Sequence, residues 1–312
     1  MKIISLLFGL MLLLSCAKEV DIDIPQLGPQ LVVDGQIEVN GYPLVLLTLS
    51  KNIADTVSLA TYLNSVVNDA SVNVICNNDT FSLSPIPIYE LPLVSQKRMA
   101  EILRLELEEV QLLPIEVYTT EDFIGEVNKS YQLLIDYDGK IFTGSTYLPP
   151  PTQLDTLYWK REPQTQDYGF SWARLTDPYQ TLDAYRWEVR RINQNEIGEE
   201  LDPIFRRARG GIFSDAYFNG LAIEFYYQNP LKRKDSIHLK EFRRYYRYGD
   251  SVIVKLSKMD QAVYNYYDRK SAQLDAANNP YATPINIPSN ISGCLGIWAG
   301  FSPWYDTLIC ID

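Results

Sequence analysis

The sequence predicts a mainly β protein: an N-terminal immunoglobulin-like antiparallel β-sandwich followed by a second β-rich domain with one α-helix. Three observations lead there. Short runs of aliphatic, β-branched and aromatic residues recur along the chain with turn residues between them. Two pairs of runs are joined by Asn-Gly and Asp-Gly, the strongest short hairpin signals. Strands and helices do not alternate as a parallel βαβ sheet requires.

Taken in order, the first element is Leu31 to Val39, which turns at Asn40-Gly41 into Leu44 to Leu49. Gly35 inside that first strand signals a bulge or a close approach of another stretch of backbone. Ser71 to Cys76 and Thr80 to Leu83 alternate as strands. Met99 to Val110 is ambiguous, because its Leu, Glu and Arg favour helix while Leu103, Leu105 and Leu107 keep a period of two; it is assigned here as a strand. Tyr131 to Ile135, Asp138-Gly139 and Ile141 to Tyr147 form the second hairpin. Pro149-Pro150-Pro151 cannot continue a ladder and marks a boundary. Beyond it, Thr156 to Trp159, Tyr168 to Ala173, Ala184 to Ile192, Leu221 to Tyr227 and Ser251 to Leu256 are strands. Ser257, with Asp260 three residues on, is expected to cap a helix over about 257–278, and Met259, Val263, Tyr266, Lys270 and Leu274 share its face until Asn278-Asn279-Pro280 stops it. Gly293 to Phe301 and Thr307 to Ile311 supply closing strands. The expected domains are 30–148 and 152–312, behind a leader (1–15) and a tether (16–29).

The leader carries its own message. Lys2 precedes an apolar run from Ile3 to Leu14 that is of signal-peptide length and too short to span a bilayer, and Leu13-Leu14-Ser15-Cys16 closes it like a bacterial lipobox. Cys16 is the expected lipidation site, and with two or more acyl chains it anchors the protein durably to a membrane. The acidic stretch Glu19 to Asp23 after it reads as a tether or as a signal for export to the cell surface.

Without residues 1–15 the chain carries 27 Lys+Arg against 39 Asp+Glu, a net charge of −12 that disfavours nucleic-acid binding. Cys76, Cys294 and Cys310 remain beyond Cys16. Cys294 and Cys310 are placed either for a disulfide or as two buried thiols. There is no CxxC pair or Cys/His cluster for zinc, no GxSxG, no HExxH and no phosphate-binding glycine loop. The one histidine, His238, is read as a strand or loop residue, and Asp136-Tyr137-Asp138-Gly139 as a hairpin turn rather than a calcium loop. Two segments concentrate arginine and aromatics in an otherwise acidic protein: Arg206, Arg207 and Arg209 in the first; Phe242, Arg243, Arg244, Tyr245, Tyr246, Arg247 and Tyr248 in the second. They are candidate interfaces, or strands with rings inward and guanidinium groups in solvent.

Several blocks resemble the Bacteroidota outer-membrane lipoprotein family known as domain of unknown function 4249. They are the lipobox cysteine, Leu31-Val32-Val33-Asp34-Gly35, Asn128-Lys129-Ser130-Tyr131-Gln132-Leu133 with Asp138-Gly139-Lys140, Asp177-Pro178 before Tyr185-Arg186-Trp187, Ser214-Asp215 with Phe218-Asn219-Gly220, and Ser289-Asn290-Ile291 leading to Gly296-Ile297-Trp298-Ala299-Gly300. Cys294 stands where the family more often has glycine. The resemblance implies an outer-membrane lipoprotein, often encoded beside a TonB-dependent receptor, with no established catalytic residues. The expectation is therefore a non-enzymatic, surface-facing accessory subunit that needs no cofactor and binds an outer-membrane protein partner. The alternative is a surface lipoprotein that binds a glycan or another ligand.

Overall fold

The computed structural model describes residues 28–51, 58–165, 167–231, 242–276, 279 and 282–311. Cys16 with the whole leader, and His238, lie outside them. The elements are β1 (Leu31–Glu38), β2 (Leu44–Leu49), α1 (Leu59–Leu63), β3 (Ser71–Cys76), β4 (Asp79–Pro87), α2 (Leu93–Leu103), α3 (Leu107–Gln111), β5 (Glu116–Thr119), β6 (Ser130–Tyr137), β7 (Lys140–Tyr147), β8 (Thr156–Arg161), β9 (Tyr168–Thr176), β10 (Ala184–Arg191), β11 (Arg206–Ser214), β12 (Ala222–Tyr227), β13 (Tyr246–Arg247), β14 (Ser251–Met259), α4 (Gln261–Ala276), β15 (Ile291–Ser292) and β16 (Leu295–Ile309). The protein is mainly β. Among the described residues no helix is long and apolar enough to cross a membrane.

A large mixed sheet runs β11-β10-β14-β16-β1-β2-β5-β4-β3-β6-β7-β15, and a smaller sheet of β8, β9, β12 and β13 lies beside it. The N-terminal half folds on itself at β4. Residues Asp79 to Leu83 of that strand pair with β3, whereas Ser84 to Pro87 pair with β5, and Pro85 and Pro87 sit in the second stretch. The two layers made this way enclose one core, in which Val33 and Ile37, Val45 and Leu47, Val72 and Val74, Leu133 and Ile135, and Trp298 are buried. Alternation along each strand sends these side chains inward. A second core, built on Tyr185, Trp187, Val189, Val252, Val254 and Leu256, lies between the β10–β14 part of the large sheet and the small sheet.

The strand shared by both halves is β16. It pairs in parallel with β1 and antiparallel with β14, and contributes Trp298 to one core and Leu308 to the other. The remaining ladders are antiparallel. Gly35 is the residue opposite Trp298, and a Cβ there would stand 2.8 Å from the indole Cε3. The glycine thus makes room for a side chain, not for the bulge or close backbone approach its sequence position suggested, since the nearest backbone atom, the Ile297 carbonyl oxygen, would be 3.4 Å away. Asn290 fastens the same region, since its side-chain amide donates to the Trp298 carbonyl at 2.7 Å and accepts from the Trp298 N–H at 2.8 Å.

Both hairpins form. Asp138 and Gly139 have φ of 52° and 69°, as a two-residue turn between β6 and β7 requires, while at Asn40-Gly41 only Asn40 has positive φ. Three expectations need correction. Met99 to Val110 is not a strand: it falls in α2 and α3, whose buried Met99, Ala100 and Val110 cover the outer face of β2 and β5. Its local helix propensity wins over a period-two run of three leucines. Ser257 does not cap the helix, because it belongs to β14. The cap is Asp260, whose Oδ1 accepts from the Val263 N–H at 2.9 Å and whose Oδ2 accepts from Thr146 Oγ1 and the Tyr147 N–H at 3.0 and 3.2 Å. The closing strands at 293–301 and 307–311 are one continuous β16. Of the two readings left open for Cys294 and Cys310, the free thiols hold: Cys294 is partly buried against the N-terminal core and Cys310 is buried in the other.

Candidate functional site

Strand alternation that sends Val33 and Ile37 into the first core sends Asp34, Gln36 and Glu38 to the opposite face of the large sheet. On β10 the same rule puts Arg186, Glu188 and Arg190 on that face, on β14 Lys255, and on β11 Arg207, which is the register partner of Glu188. Such a row of charges reads as a solvent-facing surface. Instead α2 and α4 lie over it, and Glu38, Arg186, Glu188 and Lys255 are each less than a tenth exposed.

The buried charges neutralise one another. Lys255 Nζ donates to Glu38 Oε1 at 2.8 Å and lies 3.8 Å from Glu188 Oε2. Arg186 Nη2 is 3.0 Å from Glu188 Oε2 and 3.6 Å from Glu38 Oε1, and its guanidinium sits 3.7 Å from the centre of the Phe301 ring. Arg98 of α2 approaches Glu38 Oε2 at 3.8 Å and donates to the Tyr42 carbonyl at 2.8 Å. Burial works against the Glu38 charge, yet Lys255, Arg98 and Arg186 hold its pKa down to about 2. Burial also opposes the Lys255 ammonium, but its three glutamate neighbours outweigh that and push it upward. For Glu101 on α2 burial prevails: assisted by Glu188 and Glu38 and opposed by Lys255, it raises the carboxyl to about 7. Glu101 Oε1 accepts from the Phe205 N–H at 3.0 Å.

Two adjoining cavities open beside this network and share Glu101 and Phe205. One, of about 340 Å³, is flanked by Leu93, Val94, Lys97 and Tyr305. The other, of about 270 Å³, is flanked by Asp34, Arg104, Arg186, Arg207, Tyr267 and Lys270. Nothing in the sequence pattern announced the cluster, since it joins residues from β1, α2, β10 and β14 that are far apart in the chain.

The two arginine-aromatic segments do not meet in one patch. Arg206 and Arg207 open β11 at the rim of the charged cleft, where Arg206 Nη2 pairs with Glu106 Oε2, and Arg209 is exposed further along. Phe242 to Tyr248 lies at the edge of the small sheet. Tyr246 is fully buried in the second core, and Arg243, Arg244 and Tyr248 are exposed. Phe242 and Tyr245 are half-buried and join the outer face of β9 and β12. There Tyr168 stacks on Phe242 (4.5 Å, 7°), Phe170 on Tyr245 (4.5 Å, 29°), and Tyr226 lies against Phe170 and Trp172 at 5.2 and 5.0 Å. Tyr226 is 48% exposed, and Lys160 lies 5.0 Å from the Trp172 ring. Of the five tryptophans Trp159, Trp187 and Trp298 are buried, whereas Trp172 and Trp304 are partly exposed.

A third cluster joins Asp177, Asp183 and Asp215, whose carboxylate oxygens lie within 4.8 Å of one another and are metal-ligating in type. Its oxygens already have partners. Tyr185 Oη donates to Asp177 Oδ1 at 2.6 Å, Lys258 Nζ reaches Asp183 Oδ2 at 2.5 Å, and the Gly220 and Asp183 N–H groups donate to Asp177 and Asp215. This cluster gathers Asp177-Pro178, Tyr185 and Ser214-Asp215 with Gly220, which gives three otherwise unrelated sequence blocks one structural role: they fasten the loops at the ends of β9, β10 and β11.

No curated protein and no solved structure matches the chain. A family profile does: that of the Domain of unknown function (DUF4249) matches residues 17–303, nearly the whole of the strand framework just described, and the chain therefore belongs to that family.

Proposed function

We propose that the protein is a non-enzymatic lipoprotein, held at the outer membrane of a Bacteroidota cell through Cys16 and facing the cell surface, which binds another outer-membrane protein, such as a TonB-dependent transporter, as an accessory subunit. The observation that carries this reading is the outer face of the small sheet. A solvent-facing antiparallel sheet ordinarily shows polar residues there, but β9 and β12 present Tyr168, Phe170, Trp172 and Tyr226, extended by Phe242 and Tyr245 and flanked by Arg243 and Arg244. Aromatic residues and arginine are the types enriched in protein interfaces and at their energetic centres. The rings are tilted against one another by 29–45° at Phe170, Trp172, Tyr226 and Tyr245, so they form no single plane for a sugar to lie on, which favours a protein partner over a glycan platform. The lipobox sequence and the acidic residues after it support the anchor and its orientation.

The test is affinity purification of the full-length protein from detergent-solubilised envelopes after labelling with an alkyne fatty acid. The expected outcome is a labelled protein in the outer-membrane fraction with a stoichiometric protein partner, loss of label in Cys16→Ser, and loss of the partner but not of the label in the double variant Trp172→Ala, Tyr226→Ala. Recovery of the wild type alone, or an unlabelled soluble wild type, overturns the reading.

A further inference from the structure

We infer that the cavity between α2, β11 and α4 is a binding site for a small oxyanion, a soluble compound presenting a carboxylate or phosphate group to Arg104 and Arg207. The inference is independent of the aromatic face and goes beyond it.

Charge bookkeeping points to the site. In a protein of net charge −11, this cavity is lined by five basic and three acidic side chains. Most of the lining charges have partners: Lys270 faces Asp34 at 3.9 Å, Arg186 faces Glu188, and Arg206 is taken up by Glu106. Arg104 and Arg207 form no ion pair within 4 Å among the described residues, although Asp34 stands near the first and Glu188 near the second. Arg186 adds a third donor, for it is 6% exposed and its Nε–H has no acceptor there, although Nη2 is engaged. An unpaired guanidinium N–H in a buried place loses hydration without recompense, and a ligand oxygen is what would restore it. Burial, with Arg104 and Arg186 close by, also draws the Arg207 pKa down, and an anion between these groups would relieve that crowding.

Shape and chemistry narrow the ligand class. Guanidinium groups form planar forks that match carboxylate and phosphate oxygens. The cavity of about 270 Å³ admits a compact solute rather than a chain segment. Arg104 is placed by the local fold, since it closes α2 in the left-handed region (φ 59°, ψ 35°), which turns the chain at the cavity rim.

The test is thermal unfolding of the full-length lipoprotein in an uncharged detergent, titrated with potassium phosphate, sodium glucuronate or glucose against sodium chloride of equal ionic strength. At about a hundredfold excess over Kd, one of the two anions should raise the midpoint by roughly 5 °C, and the better of them names the group recognised. Arg104→Gln, a change at an exposed position that leaves the fold intact, should weaken binding about tenfold, and Arg104→Gln with Arg207→Gln should abolish the rise. Arg243→Gln with Arg244→Gln should leave it in place. The inference fails if neither anion exceeds chloride, if glucose acts equally, or if the Arg104 and Arg104/Arg207 variants respond like the wild type.

Discussion

Glu38 on β1 and Glu101 on α2 share one lysine, Lys255, yet their titrations have opposite consequences. Lys255, Arg98 and Arg186 overcome burial at Glu38 and bring it to about 2, below the ordinary glutamate value of 4.5. Its contribution to stability is therefore complete above pH 4.5 and lost as pH falls toward 2. Glu101, raised to about 7, holds in the folded protein a proton that the unfolded chain gives up above 4.5. Its contribution fades as pH rises from 4.5 through 7. Glu101→Gln keeps the acceptor for the Phe205 N–H and removes the titration, so the variant should be more stable than the wild type by about 1–3 kcal/mol at pH 8 and equal to it near pH 4.5. Urea unfolding at the two pH values measures this. A variant less stable at pH 8 would mean that the Glu101 carboxylate is needed by Lys255. These residues also mark where sequence reading stopped. Arg186-Trp187-Glu188-Val189-Arg190 alternates like a half-exposed strand, and only the helices packed over its charged side, which no local pattern specifies, turn that side inward.

Elements were legible wherever a local signal was strong. The turns at Asn40 and Asp138-Gly139 carry their conformations in their residue types, and the strand runs around them were found within a residue or two. The helix at Gln261–Ala276 was legible too, but its start was not, because Ser257 and Asp260 both suit an N-cap and only tertiary structure shows that β14 extends through Ser257 to Met259. Asp260 serves two elements at once, capping α4 through Oδ1 and holding β7 through Oδ2. Asp260→Ala should lower stability by about 1–2 kcal/mol, and Asp260→Asn, which keeps Oδ1 as acceptor, should recover part of that in chemical denaturation. Equal loss in both would assign the whole effect to the charge. The candidate interface was legible only in part: Phe242 and Tyr245 do face outward beside β9, but Tyr246, the next residue, fills a core. Alternation along a strand of two residues is too short a pattern to sort them from sequence.

At the scale of the whole molecule the least legible fact is the parallel ladder between β1 and β16, which joins residues more than 260 positions apart, such as Val32 and Leu295. No turn, cap or period encodes a contact of that range. It has a thermodynamic consequence, because Trp298 fills the N-terminal core while its own strand continues into the other. Trp298→Ala, which empties a buried site at a cost of about 3–5 kcal/mol, should lower the unfolding midpoint reported by the buried Trp159 and Trp187 of the second core as much as the midpoint seen by circular dichroism. Two separate transitions would show that the cores unfold independently. The position of β16 also sets a timetable. A chain delivered across a membrane with its N-terminus first presents Leu31 to Glu38 early and Leu295 to Ile309 last, and until those final residues arrive both β1 and β14 carry an unpaired ladder edge. Were the chain exported as proposed, folding would have to follow export, and a half-delivered chain would be most exposed to pairing with the wrong strand.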